Sequence, residues 1–407
     1  MKKTMHQVLL LAGLVSMIST TPVMADGKGA EVELLKEQIK LLMEQNSQLK
    51  SRVNRLEEIV GAKNSTAVSD QALEEKIHQL YQKEPGRQEA DVANMINDHV
   101  SFSGLIEVEG SAGEDFEGIN ESNIELATVE LGFDARANDW ASGHVLILYE
   151  QGGDDRVLID EAFVTLGNTD QFPLYLTAGR IYVPFGRFET NMISDPLTLE
   201  IAETQETALQ AGFTAQEGAY GSVFAFNGDT NEGDGDSQIE QFGANLGYIY
   251  EQDDFALDVG ISYMNTMGDS DGLSEILADE DLLEADYVDG LAVHAIAAIG
   301  PISLIGEYVT ALDDFDGDNS QPMAFNLETA YRFQLGDRES TIGIAYQGTD
   351  DLAGYLPESR FLITAAMEVF PATTFAIEYA HDEDYDTDEG GTGESGDTVT
   401  GQLAYEF

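Results

Sequence analysis

Phe255-Ala256-Leu257-Asp258-Val259-Gly260-Ile261-Ser262-Tyr263 is the stretch on which the fold class turns. Phe255, Leu257, Val259, Ile261 and Tyr263 share one face of an extended chain, and Ala256, Asp258, Gly260 and Ser262 share the other. A soluble sandwich buries its apolar face and covers the other with Lys and Glu. Here the second face is small and polar, as in a barrel whose interior is wet and whose exterior meets lipid. The pattern recurs at Phe325, Leu327, Thr329, Tyr331 and Phe333, against Asn326, Glu328, Ala330 and Arg332, and again at Phe242, Ala244, Leu246, Tyr248 and Tyr250. It begins at Val100 and runs to the last residue. About sixteen segments result, near 100–110, 124–135, 141–151, 157–166, 174–183, 206–215, 220–227, 238–251, 255–264, 287–299, 302–311, 322–333, 339–347, 360–369, 373–381 and 397–407. Connections after even-numbered segments are tight, as in Gln252-Asp253-Asp254, Gly300-Pro301, Gly336-Asp337-Arg338 and Phe370-Pro371-Ala372. Most of those after odd-numbered segments are long and polar, as at 228–237, 265–286, 312–321, 348–359 and 382–396. Short turns belong to the periplasm and long loops to the outside, so an even count leaves both ends of the barrel in the periplasm. The expected fold is an all-β transmembrane barrel of about 16 antiparallel strands over residues 99–407, wide enough for an aqueous channel.

Ahead of the barrel, Lys2 and Lys3 precede an apolar run at 8–18, and Val23-Met24-Ala25 offers small residues for cleavage before Asp26. Residues 1–25 therefore read as a signal peptide, too short to span a bilayer as a helix. Val32, Ile39, Asn46, Val53 and Val60 fall at heptad a positions, with Leu35, Leu42, Leu49 and Leu56 at the d positions between them. Residues 26–62 are thus expected to form a periplasmic coiled coil that joins copies of the chain. Asn46 fixes its register, and β-branched a residues with Leu at d favour a parallel dimer. Large barrels of this kind are commonly trimers, so dimer and trimer both stand. Residues 63–98 form a spacer with one short helix around Leu73, Ile77 and Leu80, ended by Glu84-Pro85-Gly86. At the other terminus Leu403, Tyr405 and Phe407 alternate to a terminal aromatic, a pattern like the signal read by the outer-membrane assembly machinery. That machinery and outer-membrane lipid are the expected partners.

Charge and composition exclude several classes. Asp plus Glu number 76 against 19 Lys plus Arg, a net charge of −57, which rules out nucleic acid as a partner and attracts cations. With no Cys anywhere, disulfides, thiolate metal sites and Cys nucleophiles are excluded. The acidic runs at 229–236 and 313–318 lack the ligand spacing of an EF-hand, so diffuse cation attraction is expected, with no metal site and no cofactor. Outside the signal and spacer, the histidines His99, His144, His294 and His381 lie in no nucleophile motif, and there is no Gly-x-Ser-x-Gly. A channel is therefore expected rather than an enzyme, with a structural tether as the alternative. Strand parity places Glu130, Asp134, Asp258, Glu307, Glu328, Glu368, Glu378 and Glu406 on the lumen side. Arg332 is their main basic company, with Arg180 and Arg187 near the constriction.

The fifth connection, Pro184 to Gln205, is unlike the other long loops. It holds Phe185, Phe188, Met192, Ile193, Leu197, Leu199 and Ile201, with few acids. Apolar loop residues must be buried, and folding inward would bury them while narrowing the pore; packing between protomers or a plug is the alternative. The constriction is expected at Pro184, Phe185, Gly186, Arg187, Phe188, Asn191, Asp195 and Pro196. Gly179-Arg180, Pro184-Phe185-Gly186, Asn191, Ser194-Asp195-Pro196-Leu197-Thr198 and Glu203-Thr204 resemble the LbtU-type siderophore porin family, with which the export signal, coiled coil, barrel and aromatic end also agree. The resemblance implies an outer-membrane porin linked to ferric siderophore uptake and brings no catalytic residues with it.

A peptide spanning residues 26–62 should self-associate in analytical ultracentrifugation. Leu42→Pro should abolish this, because proline removes a helix hydrogen bond and clashes with the preceding turn. A monomeric, unfolded parent peptide would refute the assignment.

Overall fold

The computed structural model describes residues 100–407, apart from 152–155, 229, 231–238, 275–286 and 316–319. The expected signal peptide, coiled coil and spacer lie outside the described residues. Sixteen strands form one closed barrel. They are β1 (Val100–Glu114), β2 (Asn120–Asn138), β3 (Ala141–Glu150), β4 (Leu158–Asn168), β5 (Phe172–Tyr182), β6 (Gln205–Thr214), β7 (Ala219–Phe226) and β8 (Gln241–Gln252), followed by β9 (Phe255–Met264), β10 (Gly290–Ile299), β11 (Ile302–Ala311), β12 (Met323–Leu335), β13 (Arg338–Asp350), β14 (Ser359–Phe370), β15 (Thr373–Glu383) and β16 (Ser395–Glu406). Each strand pairs antiparallel with its sequence neighbour, and β1 pairs with β16 to close the ring. One short helix, α1 (Leu197–Ala202), lies in the connection between β5 and β6. Among the described residues no helix is long and apolar enough to cross a membrane.

The period-two pattern explains the two surfaces. Ile261, Leu304, Leu327, Ile344, Ile363 and Ile377 are exposed large hydrophobics, whereas Asp258, Ser262, Asn326 and Thr364 are buried. The exterior is thus apolar and the interior polar, the reverse of a soluble protein. Such an exterior is stable only against hydrocarbon, and every strand but the 8-residue β7 reaches the roughly 9–11 residues that a tilted strand needs to cross it. β1 and β2 run longer than the alternation predicts, to Glu114 and from Asn120 to Asn138. A bulge between Glu107 and Glu109 in their pairing takes up an extra residue on β2 and hides the continuity of the pattern.

The seam that closes the ring, paired from Leu105–Glu406 to Glu114–Asp397, is extended by the last residue. Gly104 N–H donates to the Phe407 carbonyl at 2.8 Å, and Phe407 N–H donates to the Gly104 carbonyl at 2.9 Å. The Phe407 ring lies over Gly104 so closely that an added Cβ would meet it at 2.5 Å, and it also packs against Phe102 and Tyr405. Besides any part in targeting, Phe407 therefore completes the seam between first and last strands. Deleting Phe407, or Gly104→Leu, should reduce the heat-modifiable folded form on gels of the outer-membrane fraction. Parent-level folded barrel after both changes would show that the seam closes without this contact.

Candidate functional site: the constriction loop and its clamp

The connection from Val183 to Thr204 folds into the barrel. Phe185, Leu197 and Ile201 are at most 1% exposed. With Ala202 they pack on Ala208, Phe224, Phe226, Met264, Ala292, Val309 and Ala324 of the wall, and on Met267, Leu273, Val288, Phe315 and Leu352 from other loops. Burying a side chain of this size contributes about 1.5–3 kcal/mol, so the loop is held as firmly as a segment of protein core. At its tip Met192 packs in a second cluster with Ala345 and Leu362. Neither cluster includes a described residue of β1, β2, β3 or β16. The loop therefore fills one side of the lumen and faces that wall across what remains.

Polar bonds set the path between the two apolar anchors. Glu307 of β11 accepts from Arg187 N–H at 2.6 Å, from Phe188 N–H at 3.0 Å and from the Thr198 hydroxyl at 3.0 Å. Glu328 of β12 accepts from Asn191 N–H at 2.7 Å, its Nδ2 at 3.1 Å and the Thr190 hydroxyl at 2.7 Å. Asn326 Nδ2 completes that set at 2.9 Å. Glu378 of β15 accepts from Ile193 N–H at 2.6 Å, and from Ser194 N–H and hydroxyl at 3.0 and 2.6 Å. Leu197 N–H donates to Gln347 Oε1 of β13 at 3.2 Å. The contacts recur about every third loop residue, so one wall acceptor after another grips the passing backbone. The three carboxylates are 4%, 5% and 2% exposed. At that depth a carboxylate is tolerable only with several donors, and each charge-assisted bond contributes about 1.5–3 kcal/mol.

The clamp also holds an unfavourable turn. Gly186 has φ +81, and a Cβ there would strike the Phe188 ring. Phe188 itself has φ 53, a conformation that costs a bulky residue about 1–3 kcal/mol. Beneath it Arg187 lies 3.5 Å from Glu189 and 3.8 Å from Asp258. Asp258 also accepts from Tyr220 OH at 2.9 Å and lies 3.6 Å from His294. Where the loop returns to β6, burial, followed by the neighbouring Asp271 and Asp195 carboxylates, pushes Glu203 up to about 8.

The eight expected constriction residues, Pro184 to Pro196, all lie on this inward loop; Asp195 is exposed and Asn191 and Pro196 are buried. Of the expected lumen charges, Glu307, Glu328 and Glu378 form the clamp, and Asp258 sits beneath it. Glu130, Asp134, Glu406, Glu368 and Arg332 lie on the inward faces of β2, β16, β14 and β12 by strand parity. Arg180 is a correction. It shares the outward face of β5 with Leu176 and Tyr182, while Thr177 and Ile181 are the buried, inward residues. Counting parity along β5 from Leu174 would have placed it outside; proximity to the loop in sequence misled the assignment. The clamp donors Thr190, Ser194 and Thr198, and the acceptor Gln347, were not anticipated. The signal for them was a hydroxyl-bearing loop nearly free of acids in a chain rich in acids. Of the two acidic runs, 316–318 and most of 229–236 lie outside the described residues.

No family model matches the chain. Its relatives include a UPF0422 protein of Coxiella burnetii, 31% identical over 300 residues, covering 70% of this chain and 64% of the relative. A UPF0422 protein of Legionella pneumophila is 28% identical over 358 residues, covering 76% of this chain and 66% of the relative. The chain thus spans just under two thirds of these relatives' own length. Among solved structures, the anion-selective porin of Comamonas acidovorans superposes with TM-score 0.55 at 13% identity, covering 76% of this chain and 99% of that one. Pseudomonas putida OprB gives 0.54 at 10% identity, covering 76% and 94%. The outer membrane channel DcaP of Acinetobacter baumannii gives 0.53 at 14% identity, covering 78% and 100%. The barrel has the porin fold.

Glu328→Ala should leave the Thr190 hydroxyl and both Asn191 donors without their acceptor, at about 1–3 kcal/mol per buried group. Loop excursions should then appear as extra current noise in single-channel records, and Glu328→Gln, which keeps one acceptor oxygen, should be milder. Identical records for Glu328→Ala and parent would show that the apolar anchors suffice.

Proposed function

We propose that the protein is an outer-membrane channel for small solutes, narrowed by the 184–205 loop and selective for cations at its open wall. The observation that carries this reading is the set of carboxylates on the wall opposite the loop. Glu109 of β1 stands directly across from Glu125 of β2 on the inward face, and Gln402 Nε2 donates to Glu109 at 2.8 Å. Like charges directly opposite destabilise a sheet, so a cation in the lumen relieves a cost that the fold otherwise carries. Glu107 and Glu130 lie on the same two strands. Two of the basic side chains inside the barrel are offset locally, Arg187 by Glu189 and Asp258, and Arg360 by a two-bond pair with Asp382. A low-dielectric wall of one sign focuses its field along the lumen. The anion selectivity named for the Comamonas porin is that protein's own. For the siderophore transport that the resemblance of the loop motif implies, an acidic wall favours a neutral or cationic ferric chelate over a carboxylate-rich one. The 26–62 coiled coil makes the working form a dimer or trimer, with the barrel in the outer membrane and the coil in the periplasm.

In planar bilayers under a salt gradient the reversal potential should show cation preference, weakening as salt rises because screening shortens to about 3 Å at 1 M. Glu109→Gln with Glu125→Gln should reduce the preference. Removing residues 188–198 should raise conductance and also raise cation preference, because Glu307, Glu328 and Glu378 would then face the lumen. Anion preference in the parent would sink the reading; unchanged conductance after the deletion would mean that the loop does not narrow the path.

A further inference from the structure

The inner wall carries a further polar set on β2, β3 and β4. His144 stands directly opposite Asp134 of β2 and Phe163 of β4 on the inward face. Its Nδ1 lies 2.8 Å from Asp134 Oδ1. An ionised carboxylate can only accept, so the proton is on Nδ1 and the lone pair of the neutral ring is on Nε2. That nitrogen lies 3.7 Å from Glu161 Oε2 of β4. The Phe163 ring, 5.2 Å from the His144 ring and tilted by 30°, backs the imidazole. Phe163 in turn packs against the apolar cluster that holds the constriction loop. The set therefore stands where the remaining lumen borders the loop, with the His144 and Glu161 side chains 21% and 23% exposed.

The separation of Nε2 from Glu161 is too long for a hydrogen bond. Two ligands on one tetrahedral metal ion, each at about 2.0–2.2 Å from it, stand about 3.4 Å apart. A shift of a few tenths of an ångström therefore brings both donors onto the same ion. A carboxylate on the far nitrogen is the usual outer support of a metal-ligating histidine, and Asp134 occupies that place. The charges of Asp160 and Glu130 also act on Glu161, so the surroundings favour an incoming cation. Among the described residues no group of three or more His, Asp or Glu is arranged to hold a metal. A two-donor site, completed by lumen water, binds weakly enough to release its ion, as conduction requires.

We propose that His144 and Glu161 form a transient site for divalent transition-metal cations on the permeation path, with Asp134 as the positioning residue. The proposal rests on the cation-channel reading and narrows it. An imidazole nitrogen suits zinc, copper or nickel, whereas calcium and magnesium take oxygen ligands. The diffuse attraction of an acidic chain makes no such distinction.

The purified full chain in planar bilayers gives two separate readings. The reversal potential under a potassium chloride gradient reports cation preference. Zinc chloride or calcium chloride is then titrated into symmetric potassium chloride while the potassium current is recorded. Zinc should reduce that current at concentrations at least about tenfold below those at which calcium does. His144→Gln and Glu161→Gln, each checked for the heat-modifiable folded form, should raise the half-blocking zinc concentration about tenfold or more. Asp134→Asn should raise it by a smaller factor. Equal potency of zinc and calcium in the parent, or a zinc response unchanged in either His144→Gln or Glu161→Gln, would overturn the proposal while leaving the cation preference intact. Anion preference in the parent would instead overturn the reading on which it rests.

Discussion

The interior depends on a bond between wall carboxylates and loop backbone. Glu307, Glu328 and Glu378 each accept from the peptide N–H groups of the connection between β5 and β6. A closed barrel satisfies its own backbone by strand pairing, but a segment crossing its lumen has no ladder to join. Orphaned N–H groups away from water are costly, and the buried glutamates are costly without donors. Each supplies what the other lacks. The apolar anchors at Phe185 and Leu197 bring the loop to the wall, and the carboxylates then determine which peptide stands where. The left-handed turn at Gly186 and Phe188 is tolerable only inside that frame.

This pairing divides the acidic residues into two populations. Carboxylates on β11, β12 and β15 are buried and spent on architecture. Those on β1 and β2 face the open side of the lumen, where Glu109 and Glu125 confront each other. Composition alone treats every Asp and Glu as a contribution to one negative field. On the proposed reading, selectivity draws on carboxylates left facing the lumen, such as Glu109 and Glu125, and so on fewer charges than the net −57 implies.

The barrel was legible because alternation is a local signal repeated many times. Phe255 to Tyr263 displays it in nine residues, and its failures, such as the β2 stretch opposite Glu107 and Glu109, are bulges that add one residue to one strand. The inward loop was legible too, since Phe185, Leu197 and Ile201 had no other place to go. The clamp was not. Parity puts Glu328 on the lumen face and is silent about which loop residue reaches it, because Thr190 and Glu328 are 138 residues apart in the chain. Arg180 shows the reverse error: its side was readable from parity along β5, and nearness in sequence to the loop outweighed that signal.

The two populations of acids also respond differently to their surroundings. A buried, hydrogen-bonded carboxylate is scarcely screened by salt, whereas one facing water loses its reach beyond about a Debye length. The loop position should therefore hold across ionic strengths that abolish the field of the open wall. Geometry and charge selection are carried by separate residues on separate strands, so one can change without the other. A glutamate on β1 or β2 can be replaced without moving the loop, while one on β11, β12 or β15 cannot be replaced without both moving the loop and altering the charge that the lumen presents. The order of constraint runs from backbone satisfaction, through loop placement, to ion preference, and selectivity is the level most open to change by substitution.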